Sequence, residues 1–499
     1  MDTDDIVKLI KDPAMTYHQR ILALAKAAEN TPPPINMSAE TEEYIKKGIV
    51  FDMGEGNVPF RPRYVLPDYE RFLKHGSEFL MLEPAKNMRE AVDNLIILYH
   101  HVPAVGGEVV FIGHLDRLLE PFYVDENEAR SAIRALLTHV DRTVSGSFCH
   151  CNIGPHDTKT GRIILELSAE MKRPVPNMTL LYTDETPDDF AHQAILTGLA
   201  VSKPSFANHK MYVKDWGEQY AIASCYNSLP LAGGGLTLGR LNLKGLAQEA
   251  DSPEHLLKDL LPKAIAAQCE QMEHRCAYIV DTCGFFEHSF LVRESLIFAD
   301  RFVGMFGVIG LAECVNIMLS ADKKEDRYGH SEEATRFAEK ILDILHTKVT
   351  EFKSKYCKFY LHGQVGVSDD VELSPGTRIP IGEEPDLPKH LSFTARTQKH
   401  FSCGTGDLFP FDETAKRNPQ AILDVIKGAF GMDMRYFSFY SGNADLIRVT
   451  GYLIKRSDIE KLTAGQAVLA SSTGLAAGAV DGLRIMKRKT RTENDSICE

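Results

Sequence analysis

An α/β architecture is what this chain predicts, on three observations. Short apolar runs rich in β-formers recur along the middle of the sequence, and longer stretches of helical periodicity lie between them. The composition, 44% hydrophobic and 25% charged, is that of an ordinary globular protein able to bury a large core. Strands separated by helices imply parallel crossover units. Periodicity alone does not say whether such a sheet closes into a barrel. At 499 residues the chain exceeds the usual single-domain length, although large α/β barrels reach this size as one unit.

Taken in order, residues 1–100 read as a mostly helical N-terminal region, interrupted by "NTPPPIN" at 30–36 and by the aromatic, basic segment "FRPRYVLPDYERFL" at 60–73. Strand-like runs follow: "EVVFIG" (108–113), "MTLLYT" (178–183), "LTLGRLNL" (236–243), "KFYLHGQVGV" (358–367) and "RYFSFYS" (435–441). "FVGMFGVIGLAECVNIML" at 302–319 is barely long enough to span a bilayer and contains Glu313, so it reads as a buried strand leading into a helix. The clearest helix starts after Ser331, an N-cap with Glu332 and Glu333 in the first turn, where the helix dipole favours acids. Phe337, Ile341, Leu345, Val349 and Phe352 then recur on one face. No low-complexity segment or fixed-period repeat is visible.

A net charge of −13 argues against non-specific nucleic-acid binding and against an anionic membrane surface, while leaving room for a small anionic substrate in a locally basic pocket. The N-terminus has no basic stretch followed by an apolar one, so the ten cysteines are expected to be reduced thiols in the cytoplasm.

Near the C-terminal end, "LIRVTGYLIKR" (446–456) alternates like a strand and then breaks at Gly451. Glycine weakens a strand interior by roughly 0.5–1 kcal/mol relative to alanine. One explanation is structural, a bulge or close backbone approach. The other is chemical: a Cα radical is stabilised when the amide nitrogen donates and the carbonyl withdraws electron density at a planar centre, and a Cβ would crowd that geometry. The stretch "RVTGY" (448–452) resembles the C-terminal signature of the glycyl radical enzymes. Such chemistry needs a relay thiol, because an S–H bond is close in strength to an activated C–H bond. "YAIASCYNSLPLAGGGLTLGRLNLKGLA" (220–247) supplies Cys225 and resembles the thiyl-cysteine region of anaerobic, class III ribonucleotide reductases; "GVIGLAEC" (307–314) resembles a helix of the same enzymes. With "FRPRYVLPDYERFL" and "GHLDRLLEPF" (113–122), the similarity is closest to the YjjI-type glycyl radical enzymes and covers nearly the whole chain.

That resemblance implies a ten-stranded α/β barrel with helices outside. It divides the chain into a helical region packed on the barrel (1–100), a barrel carrying the thiyl loop (101–440) and a glycyl radical segment (441–499). The implied catalytic residues are Gly451 and Cys225. A separate radical S-adenosylmethionine activase would install the radical, so no cofactor or metal is expected to be bound here. The implied partners are that activase and a small-molecule substrate, with no nucleic acid or membrane, in a homodimer.

Departures from neighbouring families narrow the reaction. Pyruvate formate-lyases use two adjacent cysteines, whereas Ser224 and Tyr226 flank Cys225; acyl transfer by that route is disfavoured. Diol and choline-type eliminases carry a glutamate two residues after the cysteine, and here that position is Asn227. Anaerobic ribonucleotide reductases carry paired C-x-x-C motifs near the radical glycine, while the one cysteine after Gly451 is Cys498. Reduction of a nucleotide therefore stands as an alternative, beside a non-radical barrel hydrolase or lyase and an inactive scaffold.

Other stretches weigh less. "SFCHCNIGPHD" (147–157) offers Cys149 and Cys151 with His150 and His156, either as thiols facing a barrel interior, as half of a metal site, or as ordinary buried cysteines. "LAGGGLTLG" and "SCGTGDLF" (402–409) lack phosphate-loop and dinucleotide spacing and read as tight turns. "GHLDR" places His114, Asp116 and Arg117 after a strand, for binding or for a structural ion pair. The basic and then acidic tail "IMKRKTRTENDSICE" reads as a solvated end or a contact for the activating partner.

Overall fold

The computed structural model describes residues 3–32, 35–52, 58–144, 146, 148–223, 226–363, 373–380, 382–441, 445–449 and 451–474. Cys225, Cys498 and the basic tail lie outside the described residues.

Two short strands, β1 (Val50–Asp52) and β2 (Tyr64–Leu66), precede β3 (Phe111–His114), β4 (His150–Ile153), β5 (Asn177–Tyr182) and β6 (Ser205–Asn208), each of the last four followed by a helix. A hairpin comes next, β7 (Tyr220–Ala223) and β8 (Asn227–Pro230), then β9 (Gly233–Asn242), β10 (Phe302–Ile309) and β11 (Lys358–His362). The C-terminal part supplies β12 (Leu408–Phe411), β13 (Tyr436–Ser441) and a second hairpin, β14 (Leu446–Arg448) and β15 (Leu453–Lys455).

Two sheets organise these strands. One has the order β12-β13-β6-β5-β4-β3, in which β3 to β6 run parallel and β13 is antiparallel to β6. The other has the order β1-β9-β10-β11, with β9, β10 and β11 parallel and β2 pairing beside β1 on β9. The expected α/β class with parallel crossovers is therefore the one observed. Each of the five strand-like runs contains a strand, with 364–367 of "KFYLHGQVGV" outside the described residues, and 302–319 becomes β10 followed by a helix, Leu311–Met318, as its composition predicts. The helix after Ser331 runs Glu332–Glu351, with the serine hydroxyl accepting from the Ala334 amide.

The outer faces pack on helices. Gly239 of β9 lies against the helix Leu261–Ala277 so closely that a Cβ would collide with the Gln268 side chain. The β7–β8 hairpin lies between the sheets, with β7 packed on β3 and β4 and β8 on β9 and β10. The N-terminal helix Tyr17–Glu29 reaches the other end of the chain, where Gln19 Nε2 donates to the Val468 and Leu469 carbonyls at 3.0 and 3.1 Å.

Candidate active site

Alternation along β4 and β5 decides which side chains face the hairpins. Asn152 does: its Nδ2 donates to the Ile222 carbonyl and its Oδ1 accepts from the Ile222 amide, both at 2.9 Å. His150, two residues earlier, shares that face and bonds Thr179 Oγ1 at 2.8 Å. Thr179 in turn bonds the Tyr436 hydroxyl at 2.8 Å. Ser205 Oγ and Ser438 Oγ meet at 2.8 Å one strand further on. The inner face of this sheet is thus a buried polar surface whose groups satisfy one another, as burial requires.

Cys151 projects from the opposite face of β4. Of the three readings of the two thiols, the alternation disfavours the one that turns them into the barrel, since the lumen-facing residues of β4 are His150 and Asn152, and it favours ordinary buried cysteines. Cys151 Sγ points to the Asn177 carbonyl at 3.5 Å, and burial pushes its thiol up to about 12. Cys149 is also buried and raised, so both remain protonated at neutral pH. His156 is exposed, away from the buried His150. Among the described residues no three metal-binding side chains converge.

Gly451 sits at a tight reversal. Arg448 pairs with Leu453, and the Val449 amide donates to the Tyr452 carbonyl at 3.0 Å, which closes the hairpin just before and just after Gly451. Thr450 is outside the described residues; Gly451 itself is buried. Its carbonyl accepts a hydrogen bond from Asn177 Nδ2 on β5. Arg448 is buried, with Nε on the Ser202 carbonyl at 2.9 Å and Nη2 on Asn177 Oδ1 at 3.2 Å. Arg378 Nη1 donates to the Val449 carbonyl at 3.4 Å, and the Tyr452 ring packs against Phe148 with centroids 4.9 Å apart. Lys203 is buried nearby, donating to the Pro176 carbonyl, and burial lowers it to about 8.

The two hairpins are therefore fastened to neighbouring strands on one face. His150 lies level with Asn177, and Asn152 with Thr179. At ~3.3 Å per residue and ~4.8 Å between strands, the Asn152 and Asn177 backbones stand roughly 8 Å apart. The last paired residues of the first hairpin, Ala223 and Asn227, bracket position 225.

The opposite wall comes from the five-stranded sheet. His362 and Arg240 lie level with Gly307 on its inner face. His362 is buried with neither ring nitrogen hydrogen-bonded, and burial lowers it to about 3. Asn227 is buried with its Oδ1 unpartnered. Trp216 Nε1 donates to Ser228 Oγ at 2.9 Å, and Ser228 donates to the Ser402 carbonyl at 2.7 Å. That bond draws in "SCGTGDLF", which does form a tight turn: Gly404 has φ +80°, and Gly406 lies against Tyr226 where a Cβ would come within 2.8 Å of the ring. Its position beside the neighbour of Cys225 was not apparent from glycine spacing.

"GHLDR" divides its roles. His114 Nε2 bonds the Tyr220 carbonyl at 2.9 Å and so helps to hold the first hairpin. Asp116 accepts from the Gly154 and Arg117 amides at 2.7 and 2.8 Å, and burial raises it to about 7. Arg117 pairs with Glu70 at the surface. His114 and Arg117 also line a small, open cleft with Tyr69, Gln219 and Leu231. Glu313 is half-buried and accepts from Ser374 N and Oγ at 3.1 and 2.7 Å; desolvation raises its carboxyl.

Residues 15–491 match the model of a family described as glycyl radical enzyme YjjI-like. The chain is 41% identical to an uncharacterized protein of Haemophilus influenzae, covering 99% of each. It is 40% identical to the uncharacterized protein YjjI of Escherichia coli, covering 97% of this chain and 95% of that one. Among solved structures it is similar to the anaerobic ribonucleotide reductase of Thermotoga maritima, with TM-score 0.71 at 14% identity over 93% of each chain. It is also similar to the hydroxyproline dehydratase of Clostridioides difficile, with TM-score 0.65 at 14% identity over 96% of this chain and 88% of that one. These likenesses show a shared barrel fold.

Proposed function

Because the chain belongs to the YjjI-like glycyl radical enzyme family, we propose that it stores a radical on Gly451 and uses Cys225 to abstract hydrogen from a small organic substrate. The observation that carries this reading is the buried Gly451 turn, fastened about one strand away from the hairpin that brackets position 225.

Once the radical is installed the cycle balances without an oxidant; its installation consumes one S-adenosylmethionine and one electron, and the hydrogen atom taken from Gly451 leaves in 5′-deoxyadenosine. A radical S-adenosylmethionine activase takes one hydrogen atom from Gly451 Cα. With substrate bound, Cys225 gives its S–H hydrogen atom to Gly451 Cα and becomes a thiyl radical. The thiyl takes a hydrogen atom from a substrate carbon, the substrate radical reacts, and the product radical recovers that hydrogen from Cys225. Cys225 then regains a hydrogen atom from Gly451, restoring the stored radical. Burial excludes water and oxygen from these intermediates. On this reading the chain binds no separate cofactor, and it works with its activase as a cytoplasmic homodimer. Elimination would need a proton acceptor other than residue 227, since Asn227 offers an amide there.

The test is anaerobic activation with a cognate activase and S-adenosylmethionine, followed by electron paramagnetic resonance. A doublet is expected in the native protein and in Cys225→Ser, and its absence in Gly451→Ala; Cys225→Ser should abolish substrate turnover. No doublet from the native protein, with an activase shown to be competent, sinks the reading.

A further inference from the structure

We infer that Asn177 is the positioning residue of the glycyl radical: its side-chain amide, aimed by Arg448, draws spin density onto the Gly451 carbonyl and latches the hairpin in the barrel. This rests on the radical reading above and adds to it a residue with no place in the family's R-x-x-G pattern.

The orientation of the amide follows from its partners. An asparagine carboxamide can be turned either way, and its neighbours must decide. Arg448 can only donate, and its Nη2 lies 3.2 Å from one end of the carboxamide. The Met178 amide donates to the same atom at 2.8 Å. That end must be the oxygen, so the other end is the NH2 group and it faces the Gly451 carbonyl. Arg448 is fixed in turn by the Ser202 carbonyl. The arginine three residues before the glycine thus reaches Gly451 through a residue on another strand.

The bond falls on the atom that matters electronically. A glycyl radical is stabilised by withdrawal into its carbonyl, and a donor on that oxygen makes the carbonyl withdraw more strongly. Spin density then leaves Cα, and the coupling to the remaining α-hydrogen falls. The same bond must break before an activase can reach Cα, because Gly451 is buried. One contact therefore stabilises the stored radical and restrains the hairpin during activation.

Asn177→Asp is the sharpest test, because it keeps the size of the side chain and its bond to Arg448. Arg448 and Lys203 nearby keep the new carboxylate ionised, so it presents an acceptor to the Gly451 carbonyl in place of a donor. Asn177→Ala removes the contact altogether. Two readouts are made on the full chain. In the activated protein, the doublet splitting should widen in both variants and the radical should decay faster anaerobically than in the native protein. In the unactivated protein, amide exchange at 446–455 should speed up by about tenfold, the loss of one buried hydrogen bond, while exchange at β7 is unchanged.

Unaltered splitting and unaltered exchange, in variants that fold and in a native protein that shows the doublet, overturn the proposal. A native protein without a doublet would instead remove the radical reading and with it the electronic role. The exchange arm, which needs no radical, would still decide the latch.

Discussion

The two hairpins of the barrel interior are held in different ways. The β7–β8 hairpin is gripped through both backbone groups of Ile222 by one Asn152 side chain, and again at the Tyr220 carbonyl by His114. On its far side Trp216 and Ser402 bind Ser228. The β14–β15 hairpin, by contrast, is bound at the described residues of its turn through carbonyls, by Asn177 at Gly451 and Arg378 at Val449, with Arg448 anchoring the strand before it. Carbonyl oxygens that lose such a donor can be rehydrated singly as the hairpin swings out, whereas prising Ile222 away exposes a donor and an acceptor together. The contrast matches what the proposed radical relay would need, a cysteine loop that stays and a glycine loop that leaves.

Substituting the grip on the first hairpin should give the largest effect on stability. Asn152→Ala leaves the amide and carbonyl of Ile222 buried without partners, at about 1–3 kcal/mol each. Chemical denaturation should show a loss of roughly 2–5 kcal/mol, against a much smaller loss for Asn177→Ala. Equal losses in the two variants would erase the distinction between a fixed and a releasable hairpin.

Acid should act on the first hairpin too. Burial holds His114 neutral, lowering it from 6.5 to about 3, with the Arg117 charge adding to the effect. The unfolded chain takes up a proton below pH 6.5 and the folded chain does not, so the contribution is complete above 6.5 and is lost as pH falls toward 3. The slope reaches about 1.4 kcal/mol per pH unit. His114→Gln keeps a donor for the Tyr220 carbonyl without titrating. Denaturant midpoints of native protein and variant should converge near pH 7 and separate below 6, with the native protein falling faster. Asp116, raised to about 7, shifts both curves alike and cancels in their difference. Parallel curves would show that His114 is not held neutral at this bond.

How much of this could be read from the sequence depended on distance along the chain. "RVTGY" was legible because its arginine and glycine are three residues apart on one turn. The long strands and the helix after Ser331 were legible because their periods run for several residues. β4, β6, β7, β8 and β12 were not recognised, because each has only four residues, and in β4, β6 and β8 polar side chains also interrupt the apolar run. In "SFCHCNIGPHD" the thiols drew notice, although the alternate residues, His150 and Asn152, face the hairpins. Asn177 carried no sequence signal, since its partners Arg448 and Gly451 lie 271 and 274 residues away.

The smallest effect belongs to Ser202, and it separates the latch from its support. Ser202 Oγ donates to the Leu446 carbonyl at 3.4 Å, at the start of β14, while its own carbonyl receives Arg448. Ser202→Ala removes the first bond and leaves the second intact, because the second uses the backbone. A hydrogen bond this long contributes on the order of 0.5 kcal/mol, so amide exchange across 446–455 should rise only about twofold. The radical doublet should keep its native splitting, since the Asn177 amide is untouched. If Ser202→Ala widened the splitting as much as Asn177→Asp, general loosening of the hairpin would explain both, and the specific role of the amide on the Gly451 carbonyl would fall.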